Sequence, residues 1–232
     1  MTIPMTYLTL SGCGNVGKTT LERHVLAPAT GIRALRVETR SRTDDESESI
    51  DQASLAARLF APPAGGLTLD VGVGDTVAAL DALRLVARQD ASLPGRLRIL
   101  VPLLSDGKSV AGLRWLLGQL PETSRPAVRA VWNRVPPDGD DALRAGDVFR
   151  AARAVARQGG ARLCDVVLHE AALFDPTNAL VRRYGGIAET AGIPDDAIRA
   201  AALTDMPALI AGRDAAQAAL ADCRAVFAAI SE

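Results

Sequence analysis

The sequence predicts an α/β fold, a doubly wound, mostly parallel sheet with helices on both faces. Short apolar runs at 7–10, 34–37, 67–71, 97–103, 130–132 and 165–168 alternate with stretches of helical character, the pattern of successive βαβ units. These runs are short and apolar, as strands covered on both faces should be. The first of them passes through a glycine-rich turn straight into a helix, the kind of junction where open sheets place their ligands. With 232 residues and 48 % hydrophobic content, the chain can bury a sizeable core and suits one large domain, 1–232, with a helical region from about 195.

A net charge of −1 gives no global pull toward nucleic acid or anionic lipid. The three cysteines, Cys13, Cys164 and Cys223, are widely spaced and form neither a metal cluster nor an even disulfide framework, which points to the cytoplasm. The N-terminus lacks the basic and apolar regions of a signal peptide. No apolar stretch is long enough to span a bilayer, and residues 228–232 are not a basic amphipathic anchor, so no membrane association is expected.

The first strand leads into Ser11-Gly12-Cys13-Gly14-Asn15-Val16-Gly17-Lys18-Thr19-Thr20, followed by a helix over 19–26. Gly12, Gly17, Lys18 and Thr19 satisfy the phosphate-loop pattern G-x-x-x-x-G-K-[ST] in the strand-then-helix context it requires. Glycines let the backbone turn tightly and aim its N–H groups at phosphate oxygens. Lys18 would reach the β- and γ-phosphates, and the Thr19 hydroxyl would help to hold Mg²⁺. Gly12, Gly14 and Gly17 also spell the dinucleotide pattern G-x-G-x-x-G, with Glu38 near the distance of a ribose-binding acid. The residues after the third glycine separate the two, because a triphosphate loop needs Lys then Thr. Lysine occurs only at Lys18 and Lys108, and arginine supplies the rest of the 26 basic residues.

Farther on, Pro28 and Gly31 mark a turn, and the second strand ends at Glu38. The polar segment 39–51 carries Asp44, Asp45, Glu46 and Glu48. It is read either as a solvated acidic loop or as a switch loop over the γ-phosphate, in which one carboxylate, Asp44 being the first, orients water or Mg²⁺. The strand 67–71 contains Asp70 and is followed by Gly72. Its carboxylate would hold a magnesium-bound water, and the glycine N–H could approach the γ-phosphate. Asp75 is the less favoured alternative. After the fourth strand comes Lys108, either a surface charge or a ligand-loop cation. Val110, Leu113, Trp115, Leu116, Leu117 and Leu120 read as core. At the end of the fifth strand, Asn133 could present a donor and an acceptor to a purine edge, or cap a loop. Arg144, Arg150, Arg153 and Arg157 recur at helical spacing, as a solvated face or a weak DNA-contact surface. His169 and Glu170 lack H-E-x-x-H spacing and read as structural, while the loop 169–176 is placed to line a nucleotide pocket. In the C-terminal helices, Leu203, Met206, Leu209 and Ile210, then Leu220, Cys223, Phe227 and Ile230, read as packing faces.

In combination these features resemble the ParA/MinD branch of phosphate-loop NTPases, most closely StbB-type plasmid stability proteins. The matching features are the loop from Ser11 to Thr20, the run Arg23-His24-Val25-Leu26-Ala27-Pro28, Asp70-Val71-Gly72, Val101-Pro102 with Lys108 beyond it, and Asn133-Arg134. The resemblance implies an ATPase whose loop residues Gly14, Asn15, Val16, Gly17, Lys18 and Thr19, with Thr20 beside them, contact ATP. It further implies Mg²⁺ ligation by Thr19 and Asp70, and base recognition by Asn133. A role in plasmid stability, partition or conjugative transfer follows from it, with a small DNA-binding partner protein, weak or indirect DNA association and a homodimer. One departure stands out: ParA-like loops carry a signature lysine where this chain has Cys13. Lys108 is the cation expected to replace it. A small-molecule kinase and a nucleotide-binding scaffold with little turnover are the competing functions.

Overall fold

The computed structural model describes residues 4–32, 34–37, 52–175 and 177–232. Six strands, β1 (Thr6–Thr9), β2 (Leu35–Val37), β3 (Leu67–Val71), β4 (Leu97–Leu103), β5 (Val128–Val135) and β6 (Arg162–His169), form one sheet in the order β2-β3-β1-β4-β5-β6. Every neighbouring pair is parallel. The expected α/β fold is therefore present, with each of the six apolar runs in a strand. β5 and β6 extend past their runs; β6 does so as an edge strand, where Arg162 and Asp165 keep their side chains in solvent.

Helices connect and cover the strands. α1 (Lys18–Leu21) continues through a π-helical turn, Glu22–Leu26, into α2 (Ala27–Thr30), which closes on Gly31 at φ 68°. Then follow α3 (Gln52–Phe60), α4 (Thr76–Gln89), α5 (Gly107–Gln119), α6 (Asp140–Ala145) and α7 (Asp147–Gln158). The C-terminal region holds α8 (Ala179–Tyr184), α9 (Ile187–Ala191), α10 (Asp195–Ala200) and the long α11 (Met206–Ser231). Among the described residues no helix is long and apolar enough to cross a membrane.

Alternate strand residues feed two separate cores, as the period of two requires. Leu8, Ile99, Val101, Ala130 and Trp132 pack with α3, α4, α5 and α7 on one face. Tyr7, Leu100, Val131, Cys164 and Leu168 pack with Leu21, Val25 and Leu26, and with Cys223, Val226 and Ile230 of α11, on the other. Both faces of the sheet are thus covered, which explains why its strands read as apolar runs. Two helical faces are less covered than their periodicity suggests. Trp115 is 42 % exposed on α5 and Ile210 39 % on α11, and Leu203, 85 % exposed, lies in the turn before α11 rather than on a helix. Periodicity identifies residues that share a face, but it does not supply the face with a partner.

The strand order also bears on the two readings of the glycine-rich turn. A dinucleotide sheet places β2 beside β1, so that the acid ending β2 meets the turn. Here β3 lies beside β1, and β2 is one strand farther out. Glu38 itself lies outside the described residues.

α11 is fastened to the sheet at His169, the last residue of β6. Its Nδ1 lies 2.7 Å from Asp222 Oδ2 on α11, and its Nε2 lies 2.9 Å from Asp140 Oδ1 at the start of α6. Carboxylates at both ring nitrogens are satisfied together only when both nitrogens carry protons. Burial pulls the His169 pKa down, but the hydrogen bonds and charges of Asp222 and Asp140 outweigh it and raise the value above that of a free histidine. A raised folded pKa gives stabilisation that is complete below the unfolded value of about 6.5 and is lost as pH rises through the folded one. His169→Gln is therefore expected to melt below the wild type by the widest margin near pH 6. The gap should narrow as pH rises through the raised folded value, as thermal melts at increasing pH will show; a gap independent of pH would exclude an imidazolium clip.

Candidate functional site

β1 and β3 pair with Thr9 opposite Asp70, so the turn leaving β1 emerges beside the Asp70 carboxylate. The Thr19 hydroxyl closes the arrangement by donating to Asp70 Oδ2 at 3.0 Å. Asp70 is buried, and its hydroxyl partner sits on the first turn of α1. A hydroxyl and one carboxylate form a hard oxygen pair of the sort that holds Mg²⁺ when phosphates and waters supply the remaining ligands. Among the described residues no cluster of three or more His, Cys, Asp or Glu is placed to hold a metal.

The turn is held from beneath and from the side. Gly17 has φ 82°, the left-handed conformation that lets α1 begin at Lys18, and a Cβ there would fall 1.9 Å from Asn133 Nδ2. That amide donates to the Val16 carbonyl at 2.7 Å. Asn133 is 1 % exposed and lines neither cavity at the turn. This bond braces the loop, one of the two roles open to a strand-end asparagine. The buried Oδ1 of the same side chain has no hydrogen-bond partner among the described residues. At the other end of the loop, Gly12 packs on α5. A Cβ on Gly12 would lie 2.8 Å from the Gly112 backbone. Cys13 is buried in the same contact, its amide donating to Ser11 Oγ at 3.0 Å. A buried thiol against α5 cannot reach outward as the signature lysine of ParA-like loops does. Thr76, the first residue of α4, donates to the Ser11 carbonyl at 3.1 Å.

Two cavities open on this loop. One, of about 310 Å³, is lined by residues 14–20 together with Arg36, Asp70, Gly72, Val73 and Arg134. The other, of about 640 Å³, shares Thr19, Thr20 and Arg134 with it and extends over Arg23, His24 and the segment after β6 that includes Glu170, Phe174 and Asp175. His24 lies against Phe174 with ring centroids 4.8 Å apart. Burial, then the charge of Arg23, holds its pKa below the usual histidine value, so at neutral pH this wall is an uncharged ring. Beneath the loop Glu22 is buried in the π-helical turn. Burial, then the nearby charge of Asp70, pushes its carboxyl above the ordinary range.

Most of the residues singled out from the sequence meet here: Gly14, Asn15, Val16, Gly17, Lys18, Thr19, Thr20, Asp70 and Gly72 all line the smaller cavity. Gly72 does so without offering its amide, because that N–H donates to the Val37 carbonyl at 3.0 Å. Gly12 supports the loop through packing. Asp75 is buried at the start of α4 and lines neither cavity. Lys108 is exposed in the first turn of α5 and also lines neither, so the structure does not bring it to the loop. Asp44 and the acids that follow it lie outside the described residues. Sequence reasoning missed Glu22, Arg36 and the roles of Arg23, His24 and Arg134. Glu22 stands three residues after Thr19, one turn along the same helix face, and that spacing was the available signal.

The two glycines in the Gly12–Gly112 contact should respond differently to a methyl group. Gly12→Ala would press into backbone and is expected to destabilise the fold by about 1–3 kcal/mol. The Cβ of Gly112→Ala would find its nearest neighbour at 3.4 Å, and that variant should melt close to the wild type. Thermal denaturation of the pair tests this, and the reverse order would exclude the packing account of Gly12.

No protein-family model matches this chain, and no curated protein matches its sequence.

Proposed function

We propose that this protein binds a magnesium–nucleoside triphosphate, most simply ATP, as a regulatory ATPase of the ParA/MinD-like class. The single observation that supports this best is the Thr19–Asp70 hydrogen bond directly beside a loop of phosphate-binding sequence. The chain's own groups divide the work. Main-chain amides over 14–19 and the Lys18 ammonium bind the β- and γ-phosphates, and Thr19 with Asp70 holds Mg²⁺. When bound, the metal would supply Lewis-acid neutralisation of phosphate charge. The larger cavity takes the nucleoside half, with the His24–Phe174 pair as an apolar wall and Glu170 and Asp175 as hydrogen-bond acceptors. Hydrolysis is the in-line attack of water on the γ-phosphate, favoured by fixed positive charge and aligned backbone donors.

The biological setting rests on the resemblance to StbB-type proteins: plasmid stability, partition or conjugative transfer, with a small DNA-binding partner. In this reading nucleotide state governs partner binding. Cys13 leaves the loop without a cation to place in a second subunit, so turnover is slow and depends on groups within the chain.

Calorimetric titration with MgATP is expected to show saturable binding that Lys18→Ala weakens about 10- to 100-fold, the worth of a charge-assisted hydrogen bond. Asp70→Asn should bind ATP with little enhancement by Mg²⁺. Phosphate release measured with and without DNA or partner separates an ATPase from a scaffold, and transfer of labelled phosphate to a small acceptor would indicate a kinase. If neither MgATP nor MgGTP associates and Lys18→Ala changes nothing, the nucleotide function is excluded.

A further inference from the structure

Arg134 adopts φ 56°, and only one other non-glycine residue among those described, Asn15, has a positive φ. For a residue with a long side chain this left-handed conformation is unfavourable, and it persists where surrounding structure enforces it, often at functional sites. The kink coincides with an irregularity in the β5–β6 register between Asn133 and Val135. It has a geometric result. Two consecutive residues serve the same loop from different sides: Asn133 is buried and donates to Val16, while Arg134 is exposed and its NH1 group donates to the Asn15 carbonyl at 3.4 Å. That contact is at the long limit for a hydrogen bond. The other guanidinium N–H groups have no partner among the described residues.

Arg134 is also one of three residues that line both cavities; the other two, Thr19 and Thr20, carry no charge. Lys18, Asp70 and Gly72 border only the smaller cavity, and Arg23, Glu170 and Phe174 only the larger. We propose that Arg134 is a phosphate clamp supplied by the chain to its own loop. On this proposal, which rests on the nucleotide reading above, its guanidinium binds the phosphate chain where the two cavities join, on the nucleoside side of the phosphates held by Lys18. A planar fork of donors suits phosphate oxygens, and a guanidinium held only by one long contact can turn to meet them.

The clamp predicts equal effects on triphosphate and diphosphate. Arg134→Ala is expected to weaken binding of both MgATP and MgADP about 10- to 100-fold, with Arg134→Lys restoring part of the loss through its charge. Arg134→Gly relieves the backbone and should melt, without nucleotide, at or above the wild-type temperature while losing the same affinity. Stability and affinity moving in opposite directions would not arise from a merely structural residue. If Arg134→Gly melts lower as well, Arg134 supports the fold and the clamp is overturned. Loss of ATP affinity alone would place the group at the γ-phosphate and overturn the junction assignment. Unchanged affinity for both ligands, in a protein that binds MgATP and loses it on Lys18→Ala, removes the clamp and leaves the nucleotide reading standing. Absence of binding in the wild type, with Lys18→Ala silent, removes the nucleotide reading itself.

Discussion

The site depends on β3 lying directly beside β1, with Asp70 in register with Thr9. A parallel sheet brings its carboxyl ends out along one edge, so two strands that are neighbours deliver their following residues to one place. The chain between β1 and β3 includes a whole edge strand and two helical segments, yet the 51-residue separation of Thr19 and Asp70 closes to a 3.0 Å hydrogen bond. Were β2 the neighbour instead, Asp70 would emerge a strand's width away. The chemistry of the loop would then have to be met by the end of β2. Strand order, more than the identity of any loop residue, decides which acid the loop can use.

The loop's glycines do separate work that their shared letter conceals. Gly12 admits α5 through the contact with Gly112, Gly17 turns the backbone over Asn133, and Gly14 has nothing within 4 Å of where a Cβ would stand. Two of these positions are fixed by the protein's own packing, and the third is open space. Bracing from Asn133, Thr76 and Ser11 fixes the loop without any ligand. Such pre-organisation lowers the ordering cost of binding an anion.

Much of this was legible in the sequence, and the physical reason is consistent from element to element. Strands covered on both faces are mostly apolar, so β4 stands out and β1 and β3 are read from their Leu, Tyr and Val residues, whereas the edge strand β6 carries Arg162 and Asp165 in solvent and shows only part of its length. The loop was legible because its glycines, Lys18 and Thr19 stand at fixed spacing between a strand and a helix, and Asp70 because an acid ends an apolar strand. Asn133 was legible as a residue that either faces a ligand or caps a loop, and the sequence did not choose between them. Whether a strand-end side chain turns beneath a loop or outward to a ligand is settled by backbone rotation, here at Arg134, and no composition signals it. Glu22 and His24 escaped because their environment is created by distant partners, Asp70 and Phe174. Trp115 and Leu203 erred in the opposite direction, since an apolar face is recognisable before anything is known of what covers it.

The charge pattern narrows what could satisfy the site. On the sheet side of the loop, burial first and then the charge of the buried Asp70 raise the pKa of Glu22, while Arg23 and Arg36 pull it down. On the open side, arginines from three different elements line the cavities: Arg36 of β2 at the smaller, Arg23 of the π-helical turn at the larger, and Arg134 of β5 at both. A simple anion would answer the arginines and bring more negative charge to the carboxylates beneath the loop. A cation alone would do the reverse. A dinucleotide brings pyrophosphate but no cation for these carboxylates. The magnesium nucleotide proposed above carries a divalent cation for the carboxylates and phosphate oxygens for the arginines, which is the reason this charge pattern supports that proposal.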